Sequence, residues 1–148
     1  MPEFKHIVRI AGTDLSGSKE VIAALSDVKG IGWNVAHAIV NLLDIDPRMR
    51  LGYLTDEQIG SLERAIKDVK RLNLPSWMLN RVRDLETGED LHLIGADLEF
   101  AVKRDIDREK AVKSWRGVRH MLGLKVRGQR TRTTGRKGQT VGVRKRAK

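Results

Sequence analysis

The sequence predicts a mainly α-helical protein with one small β-hairpin and a long, extended, basic C-terminal tail. Three observations carry this. Apolar residues recur at helical spacing through most of the first 123 residues. Two short apolar-containing stretches flank a Glu-Thr-Gly-Glu turn, the pattern of a hairpin. Charge is divided unevenly: Lys110 to Lys148 holds 14 of the 29 Lys/Arg and none of the 19 Asp/Glu, so the last 39 residues carry +14 and the first 109 carry −4. The expected organisation is a helical globular body over residues 1–123 and an extended basic tail over 124–148.

The elements follow in order. Phe4–Ile10 is apolar and β-branched, an edge strand or an extended strap. Ser16 and Ser18 are candidate N-caps of a first helix running to about Val28, with Val21, Ile22, Leu25 and Val28 on one face. Lys29-Gly30-Ile31-Gly32 breaks it. A second helix is expected over about Asn34–Leu43, with Val35, Ile39, Leu42 and Leu43 inward. Thr55 and Gln58 spell a capping box ahead of the stripe Ile59, Leu62, Ile66 and Val69, which sets a third helix at about Asp56–Arg71. After Pro75, Ser76–Leu79 fits one short turn. Arg81–Leu85 and Asp90–Ile94 are the expected hairpin strands. Asp97 reads as the N-cap of a long helix to about Ala111, burying Leu98, Ala101, Val102 and Ile106. A last helix, about Trp115–Leu122, ends at Gly123 as C′ glycine.

Composition narrows the function. The chain has 148 residues, enough for one domain and an appendage. It has no cysteine, which excludes disulfides, Cys-based zinc sites and thiol catalysis. His6, His37, His92 and His120 are scattered without ligand spacing, so neither a metal nor a cofactor is expected. The longest uncharged run, Gly30–Leu43, is 14 residues and contains Asn34, His37 and Asn41, too short and polar for a bilayer. Together with charges near the N-terminus, this reads as a soluble intracellular protein without a membrane partner. A pI near 10.3 points to a polyanion as partner.

Three motifs carry the candidate chemistry. Val28-Lys29-Gly30-Ile31-Gly32 is a helix-hairpin-helix pattern. Its glycines allow positive φ and close backbone approach, and the following helix start favours a phosphate. Glycines also join helices where nothing binds, and that alternative stays open here. In Trp115-Arg116-Gly117-Val118-Arg119-His120, Arg116, Arg119 and His120 share one helical face, a set of donors suited to phosphates or to carboxylates such as Asp105 and Glu109. In the tail, Lys125, Arg127, Gln129, Arg130, Thr131, Arg132, Arg136 and Lys137 are spaced by Gly and Thr. That composition buries little apolar surface and suits a backbone lying close to RNA.

The run from Arg116 to Gly138 resembles the C-terminal signature of the small-subunit ribosomal protein thirteen family. It carries that family's Arg-Gly-x-Arg-His step at Arg116 to His120, then Gly123-Leu124, then Arg127-Gly128-Gln129-Arg130-Thr131. Arg9 to Leu15 and Gly30-Ile31-Gly32 match at the expected spacing, so the resemblance covers essentially the whole chain. The segment from Leu74 to Gly95 resembles an insertion of the archaeal and eukaryotic branch, and the modest length favours the archaeal type.

The resemblance implies a helix–two-turns–helix domain in the head of the small subunit, in the cytoplasm, on 16S-type rRNA. Lys29, Gly30, Gly32, Arg116, Arg119, His120 and the tail residues would meet rRNA. It also implies pairing with small-subunit protein nineteen and a bridge to large-subunit protein five. Arg144, Lys145, Arg146 and Lys148 would approach P-site tRNA, although the tail after Gly138 follows no strict pattern. Two other classes share features. A helix–two-turns–helix DNA glycosylase would use Pro2 as a Schiff-base amine and Glu3 as proton donor. But no catalytic β-domain precedes the helices and no cysteine quartet follows them. An architectural DNA-binding protein would bind duplex DNA as tightly as structured RNA.

Overall fold

The computed structural model describes residues 4–72, 74–135 and 142. The chain divides into two units, residues 1–100 and 101–148.

The first unit opens with strands β1 (Ile7–Ile10) and β2 (Thr13–Ser16), antiparallel, with Val8 opposite Leu15 and Ile10 opposite Thr13. Ala11 and Gly12 between them have φ +48° and +75°. Two positive φ values in succession make the turn whose twist matches that of a hairpin. Alternation then buries Val8, Ile10 and Leu15 and leaves Arg9 and Asp14 outside, 3.7 Å apart.

The ladder therefore lies at the N-terminus and not at residues 81–94, where the sequence pattern put it. There the backbone makes one bridge, Arg81 to Leu91, and one further bond across the turn, from the Asp84 amide to the Glu89 carbonyl at 2.9 Å. Side chains have displaced the ladder. The Asp84 carboxylate, 5% exposed, accepts from the Arg81 guanidinium, from the Thr87 amide and hydroxyl (both 3.2 Å) and from the Glu86 amide. The Asp90 carboxylate takes the Arg83 amide at 2.8 Å. Such local bonds compete with strand pairing. The Arg81 guanidinium is the main reason the Asp84 carboxyl is held down to about 2, from an ordinary 3.8; the Thr87 donors add to this and burial opposes it. Because the folded value is the lower one, this carboxylate stabilises the fold above about pH 4, and the contribution disappears as pH falls towards 2. Asp84→Asn is expected to flatten the acid limb of a melting-temperature profile between those pH values and to speed exchange of the Thr87 amide.

Helix α1 (Val21–Leu25) is shorter than expected. It starts at Glu20, which supplies no side-chain cap. Ser16 belongs to β2, and its hydroxyl bonds that of Ser18 at 2.8 Å. The Val21 amide goes instead to the Met49 carbonyl at 3.0 Å. Val21, Ile22, Leu25 and Val28 are all buried, as the spacing predicts. Helix α2 (Trp33–Leu42) buries Val35, Ala36, Ile39 and Val40. The expected Leu42 is exposed and Leu43 half-buried, because the apolar stripe advances through Ala36 and Val40. Helix α3 (Asp56–Lys67) has both bonds of its capping box: the Gln58 amide to the Thr55 hydroxyl (3.3 Å) and the Thr55 amide to the Gln58 side chain (3.0 Å). Thr55→Ala is expected to cost about 1 kcal/mol, read as a lower urea midpoint at unchanged slope. Val69–Leu72 continues α3 as a 3₁₀ turn, and Ser76–Met78 is another. Leu62, Ile66 and Val69 complete one core with β1, β2, α1 and α2.

Helix α4 (Gly95–Ala111) begins before Asp97, which lies in its first turn rather than capping it. Of the expected face only Ala101 is buried; Leu98 and Ile106 are half-buried and Val102 is exposed. In the second unit, helix α5 (Trp115–Met121) is capped by the Ser114 hydroxyl, which accepts the Gly117 amide at 3.0 Å. Ser114 also donates to the Glu109 carboxylate. A Cβ on Gly117 would overlap the Glu109 carbonyl, so this glycine lets α5 approach the end of α4. Gly123 ends α5 at φ +66°. Its amide reaches the His120 carbonyl (3.2 Å) and the Leu124 amide reaches that of Arg119 (2.9 Å), the paired bonds of a Schellman cap. No helix or strand follows among the described residues.

Candidate nucleic-acid interface

The first candidate site is the turn between α1 and α2. The Val28 amide bonds the Leu25 carbonyl (3.1 Å), and the Ile31 amide bonds that of Val28 (3.0 Å), which curls the chain into a tight corner. Ile31 is buried between the helices. Gly30 has φ +99°, and a Cβ there would overlap the Leu93 carbonyl oxygen. Gly32, the N-cap of α2, has ordinary φ and open space where a Cβ would stand. The two glycines thus do different work. Gly30 is packed against the protein's own Leu93–Ile94, and Gly32 faces outward. Gly32 supplies no side-chain cap, and the amides of Trp33, Asn34 and Val35 have no acceptor among the described residues. Their dipoles favour an anion. The Lys29 carbonyl takes the Gly95 amide at 2.8 Å, and its ammonium pairs with the Glu99 carboxylate, both groups well exposed. An exposed pair of this kind is weak and exchanges readily for a phosphate.

The second candidate site lies in the second unit. Arg116, His120 and Arg127 line one groove of about 730 Å³ with Arg108, Asp105 and Glu109. Asp105 lies 3.4 Å from Arg108, and Glu109 accepts from Ser114, so those acids have partners within their own unit. Arg116 and Arg127 are exposed and make no hydrogen bond or ion pair among the described residues. Arg119 does not join this groove. Its Nε donates to the Lys125 carbonyl at 2.9 Å and its guanidinium lies 5.7 Å from the Trp115 ring centre. It therefore fixes the entry of the tail while keeping its charge. Sequence spacing grouped Arg116, Arg119 and His120; the chain's return over α5 separates Arg119 from the other two. Arg127 to Gly135 are exposed without exception, with positive φ at Gly128 and Gly135. Gln129, Arg130, Thr131 and Arg132 fall in this stretch. Arg136, Lys137, Arg144, Lys145, Arg146 and Lys148 lie outside the described residues.

Sequence spacing missed the Ser114 cap, although a serine directly before a helix start was its signal. It also missed His92. Both ring nitrogens of this imidazole are sealed from solvent, with the Gly30 backbone beside them. Burial lowers its pKa, and the nearby Gly30 backbone acts the other way. Only the return of the 81–94 segment beside the glycine turn brings it there.

A helix-start turn with outward amides in the first unit, and exposed guanidiniums in the acid-free second stretch, are features that suit a polyanion-binding protein. A family profile described as ribosomal protein S13/S18 matches residues 9–137. Relatives named small ribosomal subunit protein uS13 agree over nearly the whole chain. That of Staphylothermus marinus is 60% identical over 142 residues, covering 96% of this chain and 94% of the relative. That of Hyperthermus butylicus is 58% identical over 143 residues, covering 97% and 95%. That of Methanopyrus kandleri is 54% identical over 145 residues, covering 97% and 96%. The chain belongs to the ribosomal protein S13/S18 family. It is a structural, non-enzymatic protein of the small ribosomal subunit, placed with the ribosome in the cytoplasm. The glycosylase reading ends here.

Proposed function

We propose that the protein binds 16S-type rRNA in the head of the small subunit, with residues 1–123 as the body and 124–148 as an RNA-binding tail. The observation that carries this is the acid-free, +14 stretch from Lys110 to Lys148, within which Arg116 and Arg127 line one groove and make no ion pair among the described residues. Arg116, Arg119, His120, Lys125, Arg127, Gln129, Arg130, Thr131, Arg132, Arg136 and Lys137 supply donors to phosphates and sugars. Gly32, with Lys29 and the corner made by Gly30, offers a second backbone contact. Resemblance to the family adds contact with P-site tRNA through Arg144, Lys145, Arg146 and Lys148. It also adds pairing with small-subunit protein nineteen and a bridge to large-subunit protein five.

If half of the 14 cations reach phosphates, log K for rRNA should fall with log salt at a slope of about −5 to −6. A slope near −1 would remove the tail as the main contact. Co-migration with the small subunit through a high-salt sucrose gradient tests the assembly directly. Duplex DNA bound as tightly as structured RNA would instead favour an architectural DNA-binding protein.

A further inference from the structure

The first unit holds a cavity of about 400 Å³ beside the glycine turn, lined among others by Gly32, Trp33, Asn34, Trp77, Asn80 and His92. Two tryptophans belong to it, and they are 59% and 75% exposed. A folded body ordinarily covers indole rings, because each buries a large apolar area. Among the described residues none that lines the cavity is Asp, Glu, Lys or Arg, so ion pairing is not its chemistry. The site is built. Asn80 fixes the passing chain with two bonds to Leu93, Nδ2 to the carbonyl (2.6 Å) and Oδ1 from the amide (2.9 Å). That clamp holds the His92 ring at the cavity wall. The amides of Trp33, Asn34 and Val35 open α2 at the same place.

We propose that this cavity receives an unpaired RNA base, stacked on Trp33 and Trp77, with the adjoining phosphate at the α2 amides. Aromatic faces take any base, because every base has a π-face, and single-stranded nucleotides are the ones free to leave their stack. An RNA base fits better than a protein side chain because two exposed indoles and the helix-start amides of α2 meet at this cavity, whereas among the described residues no Asp, Glu, Lys or Arg lines it to steer a peptide. The proposal rests on the RNA-binding reading above and adds to it a single-strand specificity that the basic tail cannot provide.

The test uses the full chain with Trp115→Phe, so that fluorescence reports Trp33 and Trp77 alone. Short oligoadenylate is expected to quench that fluorescence saturably, and a fully paired RNA duplex is expected to leave it unchanged. Trp33→Leu and Trp77→Leu should each weaken oligoadenylate binding about 5- to 100-fold. Neither should change the salt slope for small-subunit rRNA or the melting temperature, since both side chains are exposed. Trp77→Phe should recover part of the loss, as a smaller stacking surface would. If small-subunit rRNA binds with its full salt slope but fluorescence is not quenched and the leucine variants bind oligoadenylate normally, the cavity takes no base and the proposal is overturned. If rRNA itself fails to bind, the RNA-binding reading falls first. Ultraviolet cross-linking of Trp33 or Trp77 to a protein in reconstituted subunits, with none to rRNA, would also overturn the proposal.

Discussion

Gly30→Ala is expected to destabilise the protein by about 3 kcal/mol and to lower its melting temperature by about 10 °C or more. At φ +99° a residue with a Cβ is strained wherever it sits, and here the added methyl would also overlap the Leu93 carbonyl and crowd Ile94. Both neighbours are held: the Asn80 side chain bonds both the amide and the carbonyl of Leu93, and the Gly95 amide bonds the Lys29 carbonyl. The turn therefore cannot relax without loosening the 81–94 segment or the α1–α2 corner. Gly32→Ala is the informative partner. Its φ is −99° and its surroundings are open, so stability should fall by no more than about 1 kcal/mol, the N-cap preference for glycine over alanine. Its methyl stands where the α2 amides face outward, so rRNA affinity should fall instead. Calorimetry and rRNA binding on the two variants separate a packed glycine from a ligand-facing one. Equal stability of both would show that the Leu93 contact is not a constraint.

Ending the chain after Val126 is expected to lower rRNA affinity by about a thousandfold near 0.1 M salt and to reduce the salt slope to about −2. This truncation removes 9 of the 29 Lys/Arg and leaves Lys110, Lys113, Arg116, Arg119 and Lys125 of the acid-free stretch. It keeps both Schellman bonds at Gly123 and Leu124 and the bond from Arg119 Nε to the Lys125 carbonyl. Melting of the free protein should then stay within about 0.5 kcal/mol of the full chain, as expected for a segment outside the core. Ending at Leu124 would cut that Arg119 bond and confuse the two readouts. Reconstituted small subunits carrying the shortened chain should also hold P-site tRNA less tightly. A large loss of thermal stability would show that the tail packs on the body. Unchanged affinity and slope would show that its charge is merely solvated.

Much of this was legible in the amino-acid sequence, and the reason is the range of the interactions concerned. The apolar faces of α1 and α3, the Thr55–Gln58 capping box and the Gly123 C′ position depend on neighbours three or four residues away, so spacing alone determined them. The division of charge into a −4 stretch and a +14 stretch, and with it a polyanionic partner, needs no coordinates at all. The signature around Arg116–Thr131 likewise carried the family. The N-terminal hairpin was only half written. Val8, Ile10 and Leu15 alternate correctly, but Ala11 at a position needing positive φ hides the turn that asparagine would have announced.

What the tertiary structure alone decided are contacts between residues far apart in the chain. It set Gly30 against Leu93 and left Gly32 outward, so two glycines identical in the motif have opposite surroundings. It replaced the expected 81–94 ladder with bonds to the Asp84 and Asp90 carboxylates. Folding the chain back after Gly123 took Arg119 out of the groove that Arg116 and His120 line. It also gathered Trp33, Trp77 and His92 at one cavity, a grouping no local period encodes. Helical and strand spacing report which face of an element is apolar; only the packed chain determines what that face, or a glycine's missing side chain, is set against.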